Sequence, residues 1–141
     1  MEARDKDEKL LSLRFPARPD QLQRVRKAVR KHVKACGCSA ESTGDIVLAV
    51  DEVCQNIIRH AYRGEEGAIE LEIEQRGEDL VFSLRDFAPE TDPRKVKPRD
   101  LDDVRPGGIG THLIRKVMDD AGFVPPPSGG GNLFRMVKRI G

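Results

Sequence analysis

Between Lys9 and Pro16 the chain alternates, with Leu11, Leu13 and Phe15 separated by Ser12 and Arg14. That period of two predicts a strand, which Pro16 ends. Pro19 and Asp20 then open a predicted helix whose apolar positions Leu22, Val25, Ala28, Val29 and Val33 fall at three- and four-residue steps. Arg24, Arg26, Lys27, Arg30, Lys31 and Lys34 coat its other face, a solvated surface that also suits an acidic partner. The pattern stops at Cys36-Gly37, and Ser39 is placed to cap the most apolar helix, which runs to Tyr62 and is stopped by Arg63-Gly64. Two alternating runs follow. Ala68 to Glu74 turns Ile69, Leu71 and Ile73 inward, Leu80 to Asp86 turns Leu80, Phe82 and Leu84 inward, and Gly77 joins them as a hairpin. Residues 87–107 lose all periodicity and hold four prolines, Pro89, Pro93, Pro98 and Pro106. A stretch of that length without a pattern inside a small domain reads as functional, such as a lid, or as disordered. Gly107-Gly108-Ile109-Gly110 leads into a helix from Thr111 to about Ala121, with Leu113, Ile114 and Val117 inward. Phe123-Val124 and Asn132 to Ile140 close the chain as a pair of strands around a Pro- and Gly-rich connection.

Hairpins flanking helices predict an α+β fold, a two-layer sandwich in which three helices cover one face of a mainly antiparallel or mixed sheet. The 141 residues suit one domain, expected over residues 9–141 behind a flexible tail of residues 1–8. Charge narrows the function classes. Twenty-five Lys and Arg against 24 Asp and Glu give a net charge of +1, which lacks the cationic excess of a nucleic-acid binder, and five Phe with one Tyr leave little to stack on bases. A charged opening and the lack of a long apolar run predict neither a secretory signal nor a membrane span, hence a cytoplasmic location. Three cysteines are a poor disulfide framework and read as reduced thiols, while Cys36-Gly37-Cys38 would need two further ligands nearby to make a structural zinc site.

Candidate chemistry lies at three places. Glu52, Asn56 and His60 recur at four-residue steps along the central helix and so share a stripe. With Ile46 set at zero and about 100° per residue, the core stripe of Ile46, Val50, Val53, Cys54, Ile57 and Ala61 centres near 40°, whereas Asn56 and His60 lie near 280° and 320°. A carboxylate and a carboxamide at that boundary can serve a proton and a hard cation, although an ordinary polar rim would read the same. Asp86 ends an apolar strand at the mouth of the long loop, where a turn-forming role is the plainer alternative. Gly108 and Gly110 leave backbone N–H groups at a helix start, an arrangement that attracts phosphate. No Gly-Lys-Ser/Thr follows, so a P-loop is excluded, and no strand precedes, so the dinucleotide fingerprint lacks its context.

In combination these parts resemble a known family. The run Ala49-Val50-Asp51-Glu52-Val53-Cys54-Gln55-Asn56-Ile57-Ile58-Arg59-His60-Ala61-Tyr62, then Leu84-Arg85-Asp86, then residues 87–106, then Gly107-Gly108-Ile109-Gly110 is similar to the ordered boxes of the GHKL ATPases, and in particular to the small anti-sigma-factor serine kinases of bacterial partner switching. The resemblance covers the chain from about residue 9 onward and implies a Bergerat-type ATP-binding fold with an ATP lid over residues 87–106. It implies that Asn56 holds the Mg²⁺ on the ATP phosphates and that Glu52 orients or deprotonates the attacking hydroxyl. Asp86 would accept a hydrogen bond from the adenine amino group. Arg105 would stabilise the transferred phosphoryl group, and Ala88, Gly107, Gly108, Ile109, Gly110 and Thr111 would complete the ATP-binding set. His60 is expected to cap or pack. The implied partners are an anti-sigma-factor antagonist carrying the acceptor serine, a sigma factor and a second copy of the chain, with neither nucleic acid nor membrane.

The chain departs from the family pattern Asp-x-Gly-x-Gly after Asp86, where Phe87-Ala88-Pro89-Glu90 puts Ala88 and Glu90 at the two glycine positions. Glycine there allows close backbone approach or positive φ, which alanine supplies only in part. Relatives also place a small hydroxyl residue near the adenine, where the final strand here has Leu133, Phe134 and Arg135. Two readings other than a kinase stay open on the sequence: a binding module of the same fold whose nucleotide binding is weak or lost and which does not turn over, and a stand-alone nucleotide hydrolase or a domain acting with a histidine-phosphotransfer partner.

Overall fold

A computed structural model describes residues 7–63, 65–88, 109–127 and 130–140. Its elements are β1 (Asp7–Pro16), a single 3-10 turn (Pro19–Gln21), α1 (Leu22–Ala35), α2 (Ala40–Asn56) continuing as a π-helical turn (Ile57–Ala61), β2 (Ala68–Arg76), β3 (Asp79–Asp86), α3 (Ile109–Val117), β4 (Asp120–Val124) and β5 (Asn132–Arg139). The strands form one five-stranded sheet in the order β1-β2-β3-β5-β4, and every neighbouring pair is antiparallel.

The strand period of two sorts the sheet's faces. Ile69, Leu71 and Ile73 of β2 and Leu80, Phe82 and Leu84 of β3 are each fully buried, in one core with Val25, Val29 and Val33 of α1, Ile46, Val50 and Val53 of α2, and Ile114 and Val117 of α3. All three helices therefore lie over this one apolar face. The opposite face carries Arg14, Glu70, Glu72, Ser83, Arg85 and Arg135, with Arg14 paired to Glu70 at 2.6 Å. The helix α2 packs against both α1 and α3, the central position its apolar composition predicts.

Several boundaries differ from the sequence reading, most at the first strand and the last helix. The first strand begins at Asp7 rather than Lys9, because β2 continues to Arg76 and supplies Asp7 and Glu8 with backbone partners in Arg76 and Gln75. A register shift between Lys9 and Leu11 absorbs the extra residue as a bulge. The last helix was expected to reach Ala121 from Thr111 but runs from Ile109 to Val117. Asp119 then accepts from Arg139 N at 2.6 Å and donates its own N–H to Val137 O at 2.8 Å, and Ala121 lies in β4 opposite Met136. Pairing with β5 outcompetes another helical turn that Gly122 would have weakened.

Candidate active site

The helix α2 starts at Ser39, whose Oγ accepts from Ser42 N at 3.0 Å, so one free N–H of the first turn is satisfied as the sequence predicts. Buried Asp51 anchors its middle. Its two oxygens accept from Arg26 Nη1 of α1 at 2.8 Å and from Gln55 Nε2 at 2.6 Å, so a carboxylate only 8% exposed is paired and hydrogen-bonded. One residue on, Glu52 points away from the core and is half-buried, as is Asn56 one turn later. Arg59 joins these two: its Nη2 donates to Asn56 Oδ1 at 3.1 Å and lies 3.7 Å from Glu52 Oε2. A carboxamide oxygen and a carboxylate that share one guanidinium form a donor set suited to a cation.

Beyond Asn56 the helix widens. Tyr62 N donates to Ile57 O at 3.1 Å, five residues back, so the turn over Ile57–Ala61 is π-helical. Each residue of such a turn rotates less than an α-helical residue, so consecutive Ile57 and Ile58 are both buried and Tyr62 reaches the core. His60, expected to cap or pack, is exposed on this turn. Arg63 then adopts φ 53°, the left-handed conformation that ends the element. The Tyr62 hydroxyl donates to Ala68 O at 2.7 Å and accepts from Phe87 N at 2.6 Å, which ties the end of the helix to β2 and to the residue after Asp86.

Asp86 is the last residue of β3, on the helix-covered face, and is 3% exposed. Its register partner is Asn132, the first residue of β5, whose Nδ2 donates to Asp86 Oδ1 at 2.9 Å. Ala88 N donates to the same oxygen at 3.1 Å. Burial pushes the Asp86 carboxyl above the usual carboxylate range, and the bonds from Asn132 and Ala88 oppose that shift. Backbone approach here is very close: Gly131 has φ 87°, and a Cβ on it would lie 2.1 Å from Asp86 O. No other residue type fits that position without displacing the strand end. Ala88 is buried, whereas the Phe87 ring is exposed on the open face between the guanidiniums of Arg14 and Arg85, 4.9 and 4.7 Å from the ring centre.

The structure thus sets Glu52 and Asn56 on α2, Asp86 and Ala88 at the end of β3, and Tyr62 as the link between them. Ile109, Gly110 and Thr111 form the first turn of α3, where backbone N–H groups lack acceptors within the helix. Arg105, Gly107 and Gly108, with the expected lid from Pro89 onward, lie outside the described residues. Sequence reasoning gave no role to Arg59, Tyr62 or Asn132. The π turn hid Tyr62: on α-helical geometry it falls near 160°, about 120° from the core centre. Asn132 could be found only through the β3–β5 register.

The histidine kinase-like ATPase domain family matches residues 15–138, nearly the whole chain. This chain is a histidine kinase-like ATPase domain. A Listeria innocua protein named serine-protein kinase RsbW is 31% identical to it over 119 residues, 78% of this chain and 76% of that one. The protein of that name from Oceanobacillus iheyensis is 30% identical over 122 residues, covering 78% and 75%. Among solved structures, the ATPase domain resembles the RsbU and RsbW domains of a Mycobacterium tuberculosis protein, with a TM-score of 0.61 and 15% identity over 92% of this chain and 31% of that one. The SiaB-SiaC complex of Pseudomonas aeruginosa gives a TM-score of 0.58 and 19% identity, covering 94% and 91%. These two structures share the fold of the ATPase domain. No helix among its described residues is long and apolar enough to cross a membrane.

Proposed function

We propose that this ATPase domain is an ATP-dependent serine/threonine protein kinase that acts as an anti-sigma factor, phosphorylating an anti-sigma-factor antagonist and holding a sigma factor in the alternative complex. The observation that carries the reading is the pairing of Glu52 and Asn56 on one rim of α2 with a buried acceptor, Asp86, at the strand end that Tyr62 ties to that helix. The relatives named serine-protein kinase supply the reaction class.

Each residue has a role its chemistry suits. Asp86 accepts from the adenine amino group in a site dry enough to make that bond selective. The first turn of α3 offers Ile109, Gly110 and Thr111 backbone N–H groups to the phosphates, with Gly107 and Gly108 before it. Asn56 Oδ1, which already attracts the Arg59 guanidinium, would hold Mg²⁺. That ion, when bound, would neutralise charge on the phosphates. Glu52 orients the acceptor serine hydroxyl and takes its proton as the oxygen attacks the terminal phosphorus, the bond from that phosphorus to the bridging oxygen breaks and ADP leaves, and Arg105 stabilises charge on the group in transit. The domain acts from Asp7 onward, since β1 pairs from that residue, with a lid at residues 87–106, as a cytoplasmic protein that pairs with a second copy.

Glu52→Gln tests the chemistry. Phosphorylation of the partner serine is expected to fall by roughly 10²- to 10⁴-fold, while calorimetric titration shows ATP binding retained; unchanged phosphorylation would remove Glu52 from the reaction. A specific feature favours a second reading, a binding module with little turnover. Ala88, at the first glycine position of the family pattern, is buried, and Phe87 just before it is held between two arginines. Absence of nucleotide binding at millimolar ATP with Mg²⁺ would select it.

A further inference from the structure

Tyr62 joins three separate parts of the chain at one oxygen. Its hydroxyl donates to Ala68 O at the start of β2 and accepts from Phe87 N at the end of β3, while its own backbone N–H closes the π turn on Ile57 O. The ring is 9% exposed, and its reach is set by the opposing backbone: a Cβ on Gly67 would lie 2.2–2.6 Å from three ring atoms. The Phe87 peptide N–H is thus fixed one residue after Asp86, and the next N–H, that of Ala88, turns back onto Asp86 Oδ1. Tyr62 holds the backbone on which the Asp86 carboxylate is hung, and Asn132 holds the carboxylate itself.

We propose that Tyr62 is a positioning residue for adenine recognition, aiming Asp86 at the base through the Phe87 peptide and coupling that aim to the π turn that follows Asn56. The proposal rests on the reading that Asp86 accepts from the adenine amino group. Without the hydroxyl, Phe87 N–H loses its acceptor, and the 86–88 turn is free to rotate while the ring still fills its place in the core. Selectivity for the amino group then falls further than affinity for the rest of the nucleotide.

The probes are ADP and the purine riboside diphosphate that lacks the 6-amino group, titrated calorimetrically with Mg²⁺ into the full chain and three variants. The parent is expected to prefer ADP by about tenfold, the worth of one hydrogen bond to a charged acceptor. Tyr62→Phe is expected to cut that preference at least threefold with the analogue's affinity nearly unchanged. Gly67→Ala, which displaces the ring and keeps the hydroxyl, is expected to do the same and carries the test if Tyr62→Phe loses its far-UV circular dichroism. Equal weakening of both ligands, or an undiminished preference in whichever variant folds, overturns the proposal. Asp86→Asn separates the two levels. A preference lost there but intact in Tyr62→Phe overturns the Tyr62 role alone, whereas a preference intact in Asp86→Asn overturns the reading of Asp86 and the Tyr62 role with it.

Discussion

Asp86 shows how one side chain carries opposite demands. Recognition of an amino group calls for a dry acceptor, and dryness favours the protonated acid. The folded chain therefore keeps the proton to a higher pH than the unfolded chain does, so it binds more protons in the interval above the ordinary value of 3.8. Stability linked to this group is full below that value and is lost as pH rises through the raised folded-state pKa. Asp86→Asn keeps a carbonyl acceptor for Asn132 and removes the charge. Thermal scans of parent and variant across the acid range are expected to show the variant gaining relative stability as pH rises from 3.8 and then levelling off. A gap that does not vary with pH would mean that Asp86 is not desolvated in solution. An acid ending an apolar strand was legible in the sequence, because strand period and turn chemistry are local. Its partner Asn132, 46 residues away, was not, because cross-strand register exists only once the sheet has formed.

At the scale of elements, α2 was the most legible part of the chain, since its cap, apolar stripe and polar rim are all written at helical spacing. The Ser39 cap is exposed and satisfies an N–H that would otherwise face only water. Ser39→Ala is expected to cost about 1 kcal/mol, read from the urea midpoint at unchanged slope. No shift in the midpoint would show that tertiary packing of α2 alone holds its first turn. The end of the same helix was not legible. A uniform 100° per residue carries Tyr62 out of the core, and the π turn brings it back, so an irregular element decides where the helix meets the sheet. The shortening of α3 has a similar origin: Ala121 suits a helix or a strand, and pairing with Met136 makes the choice.

At the scale of the whole molecule, a nucleotide held between α2, the β3 end and the start of α3 would bridge elements far apart in sequence, so its binding is coupled to global stability. Saturation with Mg²⁺–ADP at 100 times its dissociation constant is expected to stabilise the parent by about 2.7 kcal/mol, a rise in Tm on the order of 8 °C. Asn56→Ala, tested at the same nucleotide concentration, is expected to lose the Mg²⁺-dependent part of that rise. An equal, metal-dependent rise in the variant would move the cation away from Asn56. The sequence by itself determined the class of the fold and the core faces of its strands and helices, because side-chain periodicity and capping are properties of neighbours along the chain, whereas Glu52, Asn56 and Asp86 stand out as a set only through the family resemblance. Only the tertiary structure decided that Asn132 joins Ala88 on one oxygen of Asp86 and that Tyr62 fastens the helix to that strand end. Those contacts depend on register and on a change of helical pitch, and both are settled by packing between segments rather than by the order of residues within one.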